Sequence, residues 1–182
     1  MQRPRSRLLS SLTKRPVNDI AFWATGADLW RSCHLALLAE AHGKIGRTEE
    51  GLAAVAEALD WAHDNGGCYY DAELYRLKGE LMLQQFNVQR SMFNVENPQS
   101  AFCNPQLEAE AYFQKAIEIA RQQQAKSLEL RATTSLARLW QSQGKKAEAH
   151  KLLSEVYNWF TEGFDTKDLQ EAKALLETLA EN

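Results

Sequence analysis

Leu136-Ala137-Arg138-Leu139-Trp140-Gln141-Ser142-Gln143-Gly144, followed by Ala149, Leu153 and Val156, repeats a spacing already present earlier in the chain. The earlier copy is Leu38-Ala39-Glu40-Ala41-His42-Gly43-Lys44-Ile45-Gly46, followed at the same distances by Gly51, Val55 and Ala58. A middle copy gives Gly79-x-x-Met82 and, after an interruption, Ala109, Phe113 and Ala116. Each copy reads as a helix, a turn and a second helix. Such a unit cannot bury its apolar face alone, so neighbours must stack on it and build a superhelix with a concave surface. The expected fold is all-α, with about three antiparallel helix pairs and a C-terminal capping helix. The expected role is binding, without a catalytic pocket.

Outward from these copies, apolar residues recur at helical spacing almost everywhere, and no stretch reads as a strand. A first helix is expected from Asp28 to Lys44, with Leu35, Leu38, Ala39 and His42 on one face and Gly46 closing it. Thr48 reads as the cap of the next, with Glu49 and Glu50 in the first turn, where the helix dipole favours acids. Its stripe is Leu52, Val55, Ala56, Leu59 and Ala62, and Gly66-Gly67 ends it. Asp71 caps a third helix from Ala72 to about Gln85. Gly79 within it costs up to ~1 kcal/mol relative to alanine, which a close approach between helices would explain.

Residues 86–103 lack periodicity and read as an inserted loop, longer than ordinary connections. Asn104-Pro105 is a start signal, a capping side chain before a proline whose missing N–H is not needed there. The helix it opens runs to about Gln124, with Ala109, Phe113, Ala116, Ile117 and Ala120 inward. Helices follow from Ser127 to Gln143 and from Lys146 to Phe160. Trp140 belongs to the core, and Trp61 and Trp159 to packing between hairpins. A last helix, capped by Asp165 or Thr166, turns Leu169, Ala172, Leu176 and Leu179 inward and Lys167, Glu171, Lys173 and Glu177 to water.

The bulk properties narrow the function. The chain has 182 residues, 45% hydrophobic and 25% charged, with a formal net charge of −3, as expected of one globular domain or short solenoid. A nucleic-acid surface would need a basic stripe, which this balance argues against. Residues 1–20 hold five basic residues and one acid, and form a separate basic segment broken by Pro4 and Pro16; the repeat domain is expected over 21–182. No apolar run approaches the ~20 residues that span a bilayer. Cys33, Cys68 and Cys103 are odd in number and far apart, which suits a reducing cytoplasm.

Two resemblances follow from these residues. The placing of small and aromatic residues (Ala39, Gly79 and Ala137; His42, Met82 and Trp140) resembles the tetratricopeptide repeat. The small residues are 40 and 58 apart, against about 34 in the standard repeat, so the helices are longer and the middle unit carries the insertion. Whole phrases are similar to a narrower family: residues 24–29 (ATGADL), 70–81 (YDAELYRLKGEL) and 160–169 (FTEGFDTKDL). They resemble the C-terminal repeat region of large bacterial signalling ATPases, often fused to an adenylate or guanylate cyclase domain. That resemblance, over about residues 21–180, implies a right-handed superhelix and a regulatory scaffold in signal transduction, with the nucleotide chemistry upstream. The chain has no Gly-x-x-x-x-Gly-Lys-Ser/Thr phosphate loop, so it is expected not to be an enzyme.

In stacked hairpins the first helix of each pair lines the concave face. That projection selects Glu40, Lys44, Glu73, Arg76, Glu80, Gln84, Arg131, Thr134, Arg138 and Gln141 as partner-binding residues. Arg131 and Arg138 are two turns apart and share a face, suited to a carboxylate or acidic peptide. The alternative is that Arg76, Arg131 and Arg138 pair with Glu40, Glu73 and Glu80 between hairpins, each exposed pair contributing only ~0–1 kcal/mol. Phe22, Trp23 and Trp30 would form an exposed edge inviting self-association. No cofactor is implied. His34, His42, His63 and His150 lack the spacing of a metal site, and Cys33 and His34, adjacent on a helix, point apart. The expected partner is a protein, a peptide or the parent protein's own domains, neither nucleic acid nor membrane. The competing reading is a sensor holding a small acidic ligand in the concave groove.

Overall fold

A computed structural model describes residues 30–64, 69–93 and 104–181. The chain divides into two units, Met1–Arg31 and Ser32–Asn182, and the helices below lie in the second apart from Arg31, the first residue of α1. All its regular structure among the described residues is helical: α1 (Arg31–Lys44), α2 (Thr48–Asp64), α3 (Asp71–Phe93), α4 (Pro105–Gln122), α5 (Lys126–Ser142), α6 (Lys146–Tyr157) and α7 (Lys167–Ala180). No described helix is long and apolar enough to cross a membrane.

Three of the connections are built alike. Between α1 and α2, α4 and α5, and α5 and α6, the middle turn residue has positive φ: Gly46 at 78°, Gln124 at 55° and Gly144 at 79°. In each, the residue after it donates its N–H to the carbonyl five back: Arg47 to His42, Ala125 to Ala120, Lys145 to Trp140, all at 2.9 Å. In each, the positive-φ residue donates to the carbonyl three back, at 3.0–3.1 Å. This paired pattern caps one helix with its own backbone. The next helix then starts with no spacer, since the carbonyls of Arg47, Ala125 and Lys145 accept from Gly51, Glu129 and Ala149. Side chains are not needed at these starts, and the ends preceding α5 and α6 make no side-chain cap. The start of α4 is different. Asn104 accepts from the Gln106 N–H at 3.1 Å and Pro105 opens the helix, as the sequence predicts.

Contacts fix the order of the helices. Arg121 meets Glu129 while Glu110 meets Trp140, so α4 and α5 run antiparallel. Glu73 meets Arg131 and Glu80 meets Ser135, while Arg131 and Arg138 meet Asp168 and Glu171. Helices α3, α5 and α7 are therefore parallel, with α4 and α6 alternating between them in the chain. Small residues set the spacing. A methyl group on Gly79 would lie 2.6 Å from the ring of Phe113, which is fully buried in α4. Gly43 and Gly51 likewise make room for Leu81. The mid-helix glycine thus has the close approach expected of it.

The inward residues agree with the sequence reading at Ala39, Val55, Ala62, Ala137, Leu153, Leu169, Ala172 and Leu179, all buried. Other expectations fail. Leu38 on α1, expected inward, is 48% exposed, while the expected start of that helix at Asp28 lies outside the described residues. Ala56 is exposed, and Ala54 and Ala58 take its place. Trp159 is 58% exposed, edge-on to Phe160 with the Lys126 ammonium 5.6 Å from its ring. The largest correction concerns the inserted loop. Helix α3 continues to Phe93, so residues 86–93 are helical, because no glycine or proline interrupts the chain between Gly79 and Pro98. Residues 94–103, Gly66-Gly67 and the 1–20 segment lie outside the described residues.

Candidate groove between alternate helices

The outward residues of α1, α3, α5 and α7 enclose a groove of about 350 Å³. Eight of the ten partner-binding positions line it: Glu40, Lys44, Arg76, Glu80, Gln84, Arg131, Thr134 and Arg138. Glu73 lies beneath, 2% exposed, and Gln141 is not part of the lining. Of the expected exposed edge, Trp30 is 62% exposed, while Phe22 and Trp23 lie outside the described residues.

The floor is a network that the α3 sequence creates by placing acids three residues before and four after Arg76. Arg76 donates through Nε to Glu73 Oε2 at 2.8 Å and through Nη2 to Glu73 Oε1 at 2.6 Å. Its Nη1 lies 2.6 Å from Glu80 Oε1, an oxygen that also accepts from Ser135 Oγ at 2.7 Å. Arg131 Nη2 reaches Glu73 Oε1 at 3.0 Å from the neighbouring hairpin. Burial opposes the charge on Arg76, but the hydrogen bonds it donates to Glu73 and the field of Glu80 outweigh it and hold its pKa above the usual arginine value. At the rim, Arg138 Nη2 meets Glu171 Oε2 at 2.7 Å and Lys44 meets Glu40 at 2.9 Å. The hydrogen bond from Lys44 lowers the Glu40 pKa, and that from Arg138 lowers the Glu171 pKa, so both stay ionised.

Every basic side chain of the lining therefore has a carboxylate within 3.5 Å: Lys44, Arg76, Arg131, Arg138 and Lys167. The expected pairing of the arginines with acids between hairpins holds for Arg131 with Glu73 and differs for the other two. Arg76 pairs within its own helix, and Arg138 pairs with Glu171 of α7. Two lining residues are also committed inward: Thr134 Oγ1 donates to the Leu130 carbonyl at 2.8 Å, and Gln84 Nε2 to that of Gly43 at 2.9 Å.

Sequence reasoning missed Lys167, Asp168 and Glu171 as lining residues, having read α7 only as a cap. The signal was present: α7 follows α6 as α5 follows α4, so it takes the place of a first helix and faces the same groove. It also missed Glu129, buried yet paired at 2.7 Å with both Arg121 and Lys126. Burial raises the Glu129 pKa, and the hydrogen bonds from Arg121 and Lys126 more than reverse this. Among the described residues no three His, Cys, Asp or Glu side chains come together as a metal site. No family model matches the chain, and neither a curated protein nor a solved structure does so at the significance required.

Proposed function

We propose that this helical array is a tetratricopeptide-like interaction module, a right-handed superhelix that binds a protein or peptide segment in the groove between its alternate helices. In this reading it is a non-catalytic regulatory scaffold of the bacterial cytoplasm, resembling the repeat arm of a multidomain signalling ATPase or cyclase. The observation that carries the reading is the complete pairing of the groove's bases with its acids. An acidic metabolite would have to displace carboxylates already in place, which disfavours the sensor alternative. A polypeptide with charges of both signs can instead exchange one set of pairs for another, with specificity set by the arrangement of signs. A displayed random-peptide library selected on the full chain tests this. Enriched peptides should carry both charges and lose binding to the double variant Lys44→Glu/Arg138→Glu. Selection of no peptide, together with stabilisation by millimolar acidic metabolites in a thermal-shift screen, would overturn the reading in favour of the sensor. Nucleotide turnover by the chain should not exceed the buffer blank.

A second surface supports self-association. Leu37 and Leu38 on α1 and Ile45 just after it leave an apolar side, each 48–67% exposed. In this reading sedimentation gives a dimer that Leu37→Asp/Ile45→Asp dissociates; a monomer at all concentrations would remove it.

A further inference from the structure

The last two turns of α3 have no partner on α4. The helices run antiparallel, with Gly79 against Phe113, and α4 begins only at Pro105. By that register its first turn meets α3 near Asn87, and residues 88–93 project past it. Beside this overhang lies a cavity of about 830 Å³, more than twice the volume of the charged groove. Its apolar wall is Leu83, Val88, Phe113 and Leu139, from three different helices. The two cavities share Glu80, Gln84, Ser135 and Arg138, so one leads into the other.

Charge distinguishes this end from the groove. Glu80 is held by Arg76 and Ser135, and Arg138 by Glu171. Arg90, on the overhang, is exposed and makes no ion pair with any described residue. Among the described residues, the unmatched charge of the cavity is therefore positive, and it stands beside an apolar wall that includes the 43% exposed Val88. A site of this kind suits a large apolar group with an anion next to it.

We infer that the overhang pocket anchors the bound polypeptide by a large apolar side chain flanked by Asp or Glu, with the acid against Arg90. This rests on the peptide-binding reading above and adds the anchor chemistry and its place. A polypeptide is the occupant because the pocket opens into the groove, where a chain continuing past the anchor meets the paired charges.

The test uses the same library selection on the full chain, followed by fluorescence polarisation of the best peptide. Enriched sequences should share Leu, Ile, Phe, Met or Trp next to an acid. Arg90→Glu and Val88→Asp, both on the solvated overhang, should each weaken binding about tenfold or more, with circular dichroism unchanged. Replacing the peptide's acid by its amide should weaken binding to the native chain and not to Arg90→Glu. Peptides that depend on Lys44 and Arg138 while ignoring Arg90 and Val88 would overturn the anchor and leave the groove standing. No enriched peptide at all would overturn the groove reading itself. Decanoate binding that is sensitive to Arg90→Glu, without peptide enrichment, would make the occupant a lipid-like acid and reject this proposal.

Discussion

The hairpins α1–α2 and α5–α6 carry one pattern 98 residues apart, and half of it has the same fate in both. Ala39 and Ala137 are fully buried, as are Val55 and Leu153, because each hairpin's two helices cover these positions for each other. The outer position does not repeat. Leu136 is 1% exposed, whereas Leu38 is 48% exposed. Helix α5 has α3 and α4 on one side and α7 on the other, while no described helix precedes α1. Burial inside a repeat belongs to the repeat, and burial between repeats belongs to the neighbour.

That difference is open to measurement by urea denaturation. Leu136→Ala should cost about 2–5 kcal/mol, as for other fully buried leucines, while Leu38→Ala should stay within about 0.5 kcal/mol. Equal losses would mean that the outer face of α1 is as covered as that of α5. Gly79→Ala comes next: the new methyl meets Phe113, at about 1–3 kcal/mol for overpacking, offset in part by ~1 kcal/mol of helix propensity. A net stabilisation would show that α3 and α4 can move apart freely.

Acid titration separates the two ends through Glu129. Its folded pKa lies below its unfolded value, so it adds stability that is complete above the unfolded pKa, near 4.5, and lost as the pH falls through the folded one. Glu129→Gln should flatten the fall in stability below that pH, as followed by thermal melts from pH 6 to pH 3. An unchanged profile would place the acid sensitivity elsewhere, with Glu40 and Glu171 the next groups to test.

The three like-built turns sharpen the comparison further. Gly144→Ala and Gly46→Ala should each lose about 1 kcal/mol, because alanine enters the left-handed region at a cost. Gln124→Gly should move the other way by some tenths of a kcal/mol, the relief at φ being offset by a freer unfolded chain. The smallest effect belongs to the rim, where Arg138→Ala removes an exposed pair contributing ~0–1 kcal/mol.

How far the sequence could be read varied with the range of the interaction. Gly46, Gly144 and Asn104-Pro105 were legible because a positive φ or a capped start acts over a few residues. The turn at Gln124 has the same geometry and lacked a glycine to signal it. Eight groove residues were legible from helical projection, since alternate helices must face one way. The remaining lining on α7 needed the recognition that α7 stands in line with α3 and α5. The overhang of α3 was hidden because residues 86–93 carry no apolar period, having no α4 surface to pack on, and periodicity was the signal in use.

The chain by itself determined that helices form, where most of them turn, and which side of each hairpin closes on its partner. These depend on backbone conformation and on contacts between residues near in sequence. The tertiary arrangement alone decided that Leu38 meets water while Leu136 does not, that Glu129 can lie buried and charged, and which acid each groove arginine holds. Those outcomes depend on atoms supplied by distant helices, and a carboxylate or a leucine carries no mark of what will be packed against it.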